Sequence, residues 1–252
     1  MERRTLPGRL SWQLGEVVAT RPETARTKSI TLALPSWMGH QPGQHVDVRL
    51  TAEDGYQAER SYSIASPPEE APHLTLTVER LDDGEVSPYL TDELHVGDKL
   101  ELRGPIGGYF VWEAQMGGPL LLVAGGSGIV PLMAMLRHRA AVGSSVATRL
   151  LYSSRTYDDI IYRDELDRLV KSSTMLEVVQ TLTRSHPPGW TGYTRRIDSQ
   201  MLREVAWPVE QHPLAFICGP TPFVETAAAS MVELGNEPGR IKTERFGPTG
   251  ET

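Results

Sequence analysis

The spacing of apolar residues changes once along this chain, near residues 114–119. Before that point, alternating or β-branched runs lie between turn residues, at residues 15–20, 28–34, 45–50, 74–79 and 99–104. Several short strands with little helix predict a small antiparallel β-barrel. After it, strand-like runs at residues 120–124, 146–152, 176–181 and 214–218 alternate with helical stretches at 131–141, 163–171, 199–205 and 222–234. That order predicts a parallel sheet with helices on both faces, and so two domains, residues 1–116 and 117–252.

Composition narrows the class of protein further. Hydrophobic residues make up 39% of the 252 residues, which is enough for two cores. The net charge of -7 without a long run of like charge argues against a nucleic-acid or acidic lipid partner. The apolar run at residues 119–124 is too short to cross a bilayer, and residues 1–8 lack the apolar core of a secretion signal. We therefore expect a soluble, cytoplasmic protein.

The cysteine and histidine content argues against a metal centre. Cys218 is the one cysteine, so the chain cannot form an internal disulfide or an all-cysteine zinc or iron–sulfur site, which needs about four thiolates. The 7 histidines show no ligand-like spacing. We expect no metal site, and any second redox centre must belong to another chain.

One short extended segment combines a cation, an aromatic ring and hydroxyl groups: Glu59-Arg60-Ser61-Tyr62-Ser63-Ile64-Ala65-Ser66. In strand geometry Arg60 and Tyr62 share one face, and Ser61 and Ser63 share the other. A flat, phosphate-bearing cofactor needs a guanidinium for a pyrophosphate, a ring for stacking and a small donor facing a ring nitrogen. The alternative is an edge strand with a surface arginine and a half-buried tyrosine.

A predicted helix start offers a first place for phosphate groups. Ser87 is expected to cap a helix over residues 87–94, with Pro88 at its first position. Unpaired amides and a partial positive charge at such a start suit a pyrophosphate. The alternative is an ordinary cap over the end of the barrel.

A glycine-rich turn offers a second place: Gly125-Gly126-Ser127-Gly128-Ile129-Val130-Pro131 follows an apolar strand and opens a helix. It departs from the Rossmann pattern, because Pro131 replaces the third glycine. The next strand also ends without an acidic residue and reads Ser153-Ser154-Arg155 instead. The alternative is a tight turn that binds no ligand.

These segments together resemble the ferredoxin–NADP reductase family, in which an FAD domain precedes a pyridine-nucleotide domain. The resemblance covers the chain from about residue 12 onward. Besides Arg60-Ser61-Tyr62-Ser63 and the glycine-rich turn, it rests on Pro42-Gly43-Gln44, Gly84-Glu85-Val86-Ser87-Pro88-Tyr89-Leu90, Gly104-Pro105-Ile106-Gly107-Gly108-Tyr109-Phe110, Cys218-Gly219-Pro220 and Glu244-Arg245-Phe246.

The resemblance implies a role for each matching residue. For FAD it implies that Arg60 and Ser87 hold the pyrophosphate, that Tyr62 stacks on the ring, and that Ser63 donates towards N5. Phe246 would cover the opposite ring face and yield to the nicotinamide; alternatively, it is a core aromatic that ends the sheet. The implied FAD-binding set is Arg60, Tyr62, Ser63, Ile64, Val86, Ser87 and Phe246.

For the coenzyme, the resemblance implies a site at the glycine-rich turn and at the ends of the strands. The implied set is Gly126, Gly128, Pro131, Ser154, Arg155, Thr183, Arg184, Gly219 and Pro220. Thr183 and Arg184, with Tyr193 and Arg195 further on, fit a 2′-phosphate site, so we expect NADPH, with NADH as the alternative. Cys218 would lie beside the nicotinamide, although it could be a small buried residue instead. The candidate catalytic residues are Ser63, Cys218, Glu244 and Phe246.

The resemblance therefore implies an FAD-dependent NAD(P)H reductase that passes electrons singly to a separate protein, such as a ferredoxin, an oxygenase component or another redox subunit. One alternative is a reductase that releases electrons to free flavin or quinone. Another is a flavin-bearing electron-transfer subunit of a larger complex that does not use the nicotinamide coenzyme productively.

Overall fold

The first part of the protein is a six-stranded antiparallel sheet. The structure is a computed structural model that describes residues 10–247, so the prediction about residues 1–8 and the two ends of the predicted domains lie outside the described residues. The strands are β1 (Gln13–Thr24), β2 (Thr27–Ala33), β3 (His45–Thr51), β4 (Gln57–Ser63), β5 (His73–Glu79) and β6 (Lys99–Ile106). Their order in the sheet is β4-β3-β6-β1-β2-β5.

The two edge strands of this sheet meet and close it. Ile64 forms an antiparallel bridge with Leu76, and the Ala65 amide donates to the Thr75 carbonyl at 2.8 Å. Inward-facing aliphatic residues from all the strands fill the interior, which confirms the predicted antiparallel barrel.

The second part is a five-stranded parallel sheet with helices. Its elements are β7 (Leu120–Gly125), α1 (Ile129–Ala141), β8 (Thr148–Ser154), α2 (Arg163–Ser172), β9 (Leu176–Leu182), α3 (Ser199–Val205), β10 (Leu214–Pro220), α4 (Thr221–Glu233) and β11 (Ile241–Phe246). The strand order is β11-β10-β7-β8-β9, and every neighbouring pair is parallel.

Alternate residues of the central strands pack on opposite faces of this sheet. In β7, Leu120 and Leu122 belong to the core beneath α1 and α2, whereas Leu121 and Val123 belong to the core beneath α3 and α4. This alternation is why the strand reads as an uninterrupted apolar run. It confirms that helices cover both faces.

The core beneath α1 continues into the barrel half of the chain. Ala65, Phe110 and Trp112 are buried in the same apolar cluster as residues of α1, β7 and β10. The two sheets are therefore joined by a shared core as well as by the polypeptide.

One local prediction, the helix cap at Ser87, needs correction. The segment predicted as a helix over residues 87–94 contains a π-helical turn, Tyr89–Glu93, and Ser87 does not cap it. The Ser87 hydroxyl instead accepts a hydrogen bond from the Leu81 amide at 3.0 Å, so the prediction of a Ser87 cap is wrong. Strand β11 was not predicted from the sequence.

Candidate functional site

The end of β4 meets β11 where the two sheets face each other. The Ser63 hydroxyl donates to a carboxylate oxygen of Glu244 at 3.2 Å. Burial raises the pKa of Glu244, and the hydrogen bond from Ser63 opposes that shift only in part. Two of the candidate catalytic residues, far apart in sequence, therefore lie in direct contact.

Cys218 lies next to this pair. It is opposite Glu244 in the β10–β11 ladder, and it is 1% exposed. Burial, together with the nearby Glu244 charge, raises the pKa of the Cys218 thiol well above its usual value. A thiol in this environment stays protonated, so Cys218 is not suited to nucleophilic attack, and it lies within the apolar core beneath α1.

The glycine-rich turn packs directly on the backbone beyond Cys218. Gly126–Gly128 forms a 3-10 turn that leads into α1. A Cβ at Gly128 would collide with the Cys218 carbonyl oxygen and lie 2.8 Å from the Gly219 amide nitrogen. Only glycine fits there, and the arrangement leaves the first amides of α1 at the carboxyl ends of β7 and β10. Such a cradle fits a phosphate-bearing ligand.

The ends of β8 and β9 supply basic side chains at the same edge of the sheet. The Thr183 amide donates to the Ser154 carbonyl at 3.0 Å, and the Arg184 amide donates to the Arg155 carbonyl at 2.9 Å. These bonds hold Arg155 and Arg184 side by side, with both side chains exposed. The Ser154 side chain at the same strand end is buried, so its hydroxyl is enclosed by protein in this structure.

Tyr193 and Arg195, the other two residues expected at the 2′-phosphate site, both bind acidic side chains. Arg195 binds Asp198 at 2.8 Å and lies over the Tyr193 ring, at 5.1 Å from its centroid. The Tyr193 hydroxyl donates to Glu204 at 2.5 Å. Arg184 and Arg155 are therefore better candidates than Arg195 for an added phosphate.

On the barrel side, Tyr62 and Arg60 differ in environment. Tyr62 is half-buried, and burial raises its pKa to about 12. Arg60 is about half exposed and pairs with Glu85 at 2.6 Å, and Glu85 also accepts a hydrogen bond from Tyr56. An exposed ion pair contributes only ~0–1 kcal/mol, so a doubly charged pyrophosphate can compete for Arg60.

The remaining predicted residues lie around this region. Val86 and Ser87 are buried just before the π-helical turn, and Ile64 is buried where the barrel closes. Pro131 is buried in the first turn of α1. Phe246 is opposite Pro220 at the end of the β10–β11 ladder and is 37% exposed, which is not the environment of a core aromatic.

The sequence did not single out the loop contacts that support the site. The Gln44 side chain donates to the Gly107 carbonyl at 2.6 Å, which anchors the loop that carries Tyr109. The Tyr109 hydroxyl donates to the Ile241 carbonyl at 3.3 Å, and Lys242 lies 4.4 Å from the centre of the Tyr109 ring. The sequence showed the motifs at residues 42–44 and 104–110. It did not show that these two motifs contact each other, or that the second contacts β11.

Within residues 10–247, no group of three or more His, Cys, Asp or Glu side chains is arranged to hold a metal ion. In the same part of the chain, no helix combines the length and the apolar character needed to span a membrane.

Comparison with known proteins identifies both halves of the chain. The sequence profile of the oxidoreductase FAD-binding domain matches residues 16–111, and that of the oxidoreductase NAD-binding domain matches residues 122–229. The flavohaem-like FAD/NAD-binding domain of nitric oxide dioxygenase from Vibrio cholerae superposes with a TM-score of 0.84 at 24% identity, covering 94% of this chain and 99% of that one. That likeness shows the fold.

Sequence relatives extend the identification. The chain is 32% identical over 211 residues to the glycine betaine monooxygenase reductase subunit of Chromohalobacter salexigens; the match covers 83% of this chain but only 56% of that relative. It is 34% identical over 210 residues to ferredoxin–NADP reductase B of Sorangium cellulosum, covering 82% of this chain and 85% of that one. The chain therefore belongs to the ferredoxin–NADP reductase-like family of oxidoreductases, with an FAD-binding domain followed by an NAD-binding domain.

Proposed function

We propose that this protein is an FAD-dependent NAD(P)H reductase that passes electrons one at a time to a separate protein, such as a ferredoxin or an oxygenase component. One observation carries the proposal. The Ser63–Glu244 contact joins the end of β4 to β11, directly beside Cys218 and the glycine-rich turn. A ring held by β4 and a ring held at the ends of β7 and β10 would meet there.

The residues divide into a flavin set and a coenzyme set. When bound, FAD accepts a hydride from the nicotinamide coenzyme and releases the electrons singly. We assign the pyrophosphate to Arg60, Val86 and Ser87, with Ile64 beneath the ring. Tyr62 covers one ring face and Phe246 the other, and Ser63 donates towards the ring edge. The coenzyme set is Gly126, Gly128, Pro131, Ser154, Arg155, Thr183, Arg184, Gly219 and Pro220.

Cys218 and Glu244 position the nicotinamide in this proposal. A buried, protonated thiol offers a compact apolar surface, and the adjacent carboxyl group, largely enclosed, excludes water from the contact between the rings. Neither residue forms a bond to the substrate. The hydride moves with its electron pair, so the transfer requires no general acid or base, and Ser63 acts only as a hydrogen-bond donor.

We place the boundary between the FAD domain, residues 1–116, and the NAD(P) domain, residues 117–252. The two matched profiles end and begin on either side of this boundary, which supports it. We place the reaction in the cytoplasm, where the single cysteine would remain reduced.

The names of the relatives favour a protein acceptor over a diffusible one. One relative is the reductase subunit of a monooxygenase and the other a ferredoxin reductase. Reduction of free flavin or quinone is the second candidate, since the site would need no change for it. The intact glycine turn disfavours an electron-transfer subunit that does not use the coenzyme.

We expect the purified protein to be yellow, to contain no iron, and to be bleached by NADPH under anaerobic conditions. The reduced protein should then reduce a [2Fe–2S] ferredoxin faster than it reduces free FMN or a soluble quinone at equal concentration. Absorbance spectroscopy and iron analysis measure these outcomes. Yellow protein that neither NADPH nor NADH bleaches would contradict the reductase assignment, and faster reduction of quinone would favour the second candidate.

Coenzyme preference should depend on Arg184. A charge-assisted hydrogen bond to a phosphate contributes about 1.5–3 kcal/mol, so Arg184→Ala should raise KM for NADPH by roughly 10- to 150-fold and leave KM for NADH nearly unchanged. Arg196 is another exposed arginine in the loop between β9 and α3, so Arg196→Ala is the matched control. Steady-state kinetics with both coenzymes provides the measurement. Equal effects of Arg184→Ala on the two KM values would show that Arg184 does not bind the 2′-phosphate.

A further inference from the structure

The guanidinium group of Arg137 bridges the two halves of the protein. Its Nε and Nη2 atoms donate to the two carboxylate oxygens of Glu165, at 2.8 and 2.7 Å, which ties α1 to α2. Its Nη1 atom donates to the backbone carbonyl of Ala65 at 2.7 Å. Both charged side chains are largely buried, with 15% and 19% exposed. All three contacts are short, and only the one to Ala65 crosses between the sheets.

A tyrosine beneath this guanidinium makes a second bond across the boundary. The Arg137 guanidinium lies 4.8 Å from the centre of the Tyr162 ring, and the Tyr162 hydroxyl donates to Thr77 of β5 at 2.6 Å. Tyr162 has a φ of 60°, a left-handed conformation that is rare for a residue other than glycine. A backbone held in this conformation indicates that the surrounding contacts fix the position of the ring.

The group formed by Arg137, Tyr162 and Glu165, here called the Arg137 clasp, is close in sequence to both halves of the site. Arg137 lies about 12 Å along α1 from Ile129, at ~1.5 Å per residue, and α1 begins directly at the Gly128 turn. Ala65 follows just after Ser63, the last residue of β4. The Arg137–Ala65 hydrogen bond thus connects α1, which starts at the glycine-rich turn, to the residues just after β4; His138 of α1 also contacts Glu69 of the barrel half at 2.7 Å.

We propose that the Arg137 clasp positions the glycine-rich turn, Gly126–Gly128, relative to β4, and that Arg137 is a positioning residue for hydride transfer. The proposal rests on the proposed reductase function. Hydride transfer needs the two rings in contact, and a displacement of about 1 Å can cost on the order of a hundredfold in rate. Loss of the clasp should therefore lower the rate of transfer more than it weakens binding of the coenzyme, whose phosphates contact only residues of the nucleotide half.

The chain contains a closely matched control. Arg149 donates to Glu177 at 2.8 Å and to the Val205 carbonyl at 3.0 Å, and it lies 3.9 Å from the centre of the Trp207 ring. It therefore has the same three kinds of partner as Arg137, but all of them belong to the nucleotide half. Arg137→Met and Arg149→Met each remove an ion pair, a hydrogen bond to a carbonyl and a contact with an aromatic ring. Glu177 is 58% exposed, so its pair with Arg149 contributes less to stability than the buried Arg137–Glu165 pair, and only Arg137→Met removes a bond between the halves.

The experiment compares both variants with the wild type. Stopped-flow absorbance gives the rate of flavin reduction at saturating NADPH, and titration with NADP⁺ gives its Kd and the intensity of the long-wavelength band of stacked rings. For Arg137→Met we expect a tenfold to hundredfold slower reduction, a weaker band, and a Kd for NADP⁺ within about twofold of the wild type. Arg149→Met should keep the wild-type rate and band.

Arg137→Lys provides a second variant if Arg137→Met does not fold. Lysine keeps the charge and can reach one acceptor but cannot bind Glu165 through two parallel bonds, so its rate should lie between those of the wild type and Arg137→Met. An unchanged rate and band in either Arg137 variant, with loss of thermal stability alone, would overturn the proposal. A wild type that neither NADPH nor NADH reduces would instead contradict the reductase function, so the two failures are distinct.

Discussion

Gly128→Ala is expected to destroy the coenzyme site while leaving the FAD site occupied. The added methyl group would collide with the Cys218 carbonyl, so either the turn or the end of β10 must move. Overpacking of this kind destabilises a protein by about 1–3 kcal/mol. A displaced turn that loses one charge-assisted hydrogen bond to a phosphate should weaken NADP⁺ binding by roughly 10- to 150-fold. Urea unfolding, NADP⁺ titration and flavin content after gel filtration measure the three effects.

Gly239→Ala is the matched control for this substitution. Gly239 also lies in a 3-10 turn, Pro238–Arg240, but no atom lies within 4 Å of the position that its Cβ would take. We expect its stability within about 0.5 kcal/mol of the wild type and unchanged coenzyme binding. If Gly128→Ala were equally mild, the close packing of the glycine turn on β10 would be wrong.

Phe246→Ser is expected to trap the coenzyme. If Phe246 covers the ring face that nicotinamide must occupy, the wild type loses that stacking whenever coenzyme binds. Removing the phenyl ring should tighten NADP⁺ binding by roughly tenfold, because an aromatic stack contributes about 0.5–1.5 kcal/mol beyond the area it buries. Product release should then limit turnover, and discrimination between NADPH and NADH should narrow. A titration of oxidised protein with NADP⁺, followed through the long-wavelength band, tests this.

The stability of Phe246→Ser distinguishes the two interpretations of this residue, a cover for the flavin ring or a core aromatic that ends the sheet. Truncation of a core phenylalanine lowers the free energy of unfolding by about 3–5 kcal/mol. Truncation of Phe246, which is 37% exposed at a strand end, should lower it by less than about 1 kcal/mol. Phe246→Tyr keeps an aromatic ring and should behave as the wild type. A large loss of stability in Phe246→Ser without a stronger band would show that the ring serves only to pack the sheet.

The parts of the fold that could be predicted are those with a local signal. The alternation in β1 to β6 and the apolar runs of β7 and β10 each identify a strand from consecutive residues. Strand β11 lacks that signal, because Lys242, Thr243, Glu244 and Arg245 are polar and the strand is an edge that only β10 pairs. Its place in the sheet is decided by the neighbouring strand and not by its own sequence.

The site was predictable to the extent that short motifs carry it. Gly128 could be recognised in the glycine-rich turn, but its contact with Cys218 depends on how β7 and β10 pair. The sequence predicts that Ser87 caps a helix. A π-helical turn forms there instead, and the Ser87 hydroxyl accepts a hydrogen bond from the Leu81 amide. The Arg137–Ala65 bond joins residues that are 72 positions apart, so no local pattern could indicate it.

The shared core has a consequence for protein engineering by module exchange. Ala65, Phe110 and Trp112 belong to the first half of the chain but fill space beneath α1. A chimera made by joining this first half to the nucleotide half of a relative would bring together side chains that were never fitted to each other, and mismatched volumes in a core leave cavities or overlaps. Coenzyme preference is therefore better altered by substitutions at the ends of β8 and β9, where Arg155 and Arg184 face solvent, than by grafting a complete foreign nucleotide half.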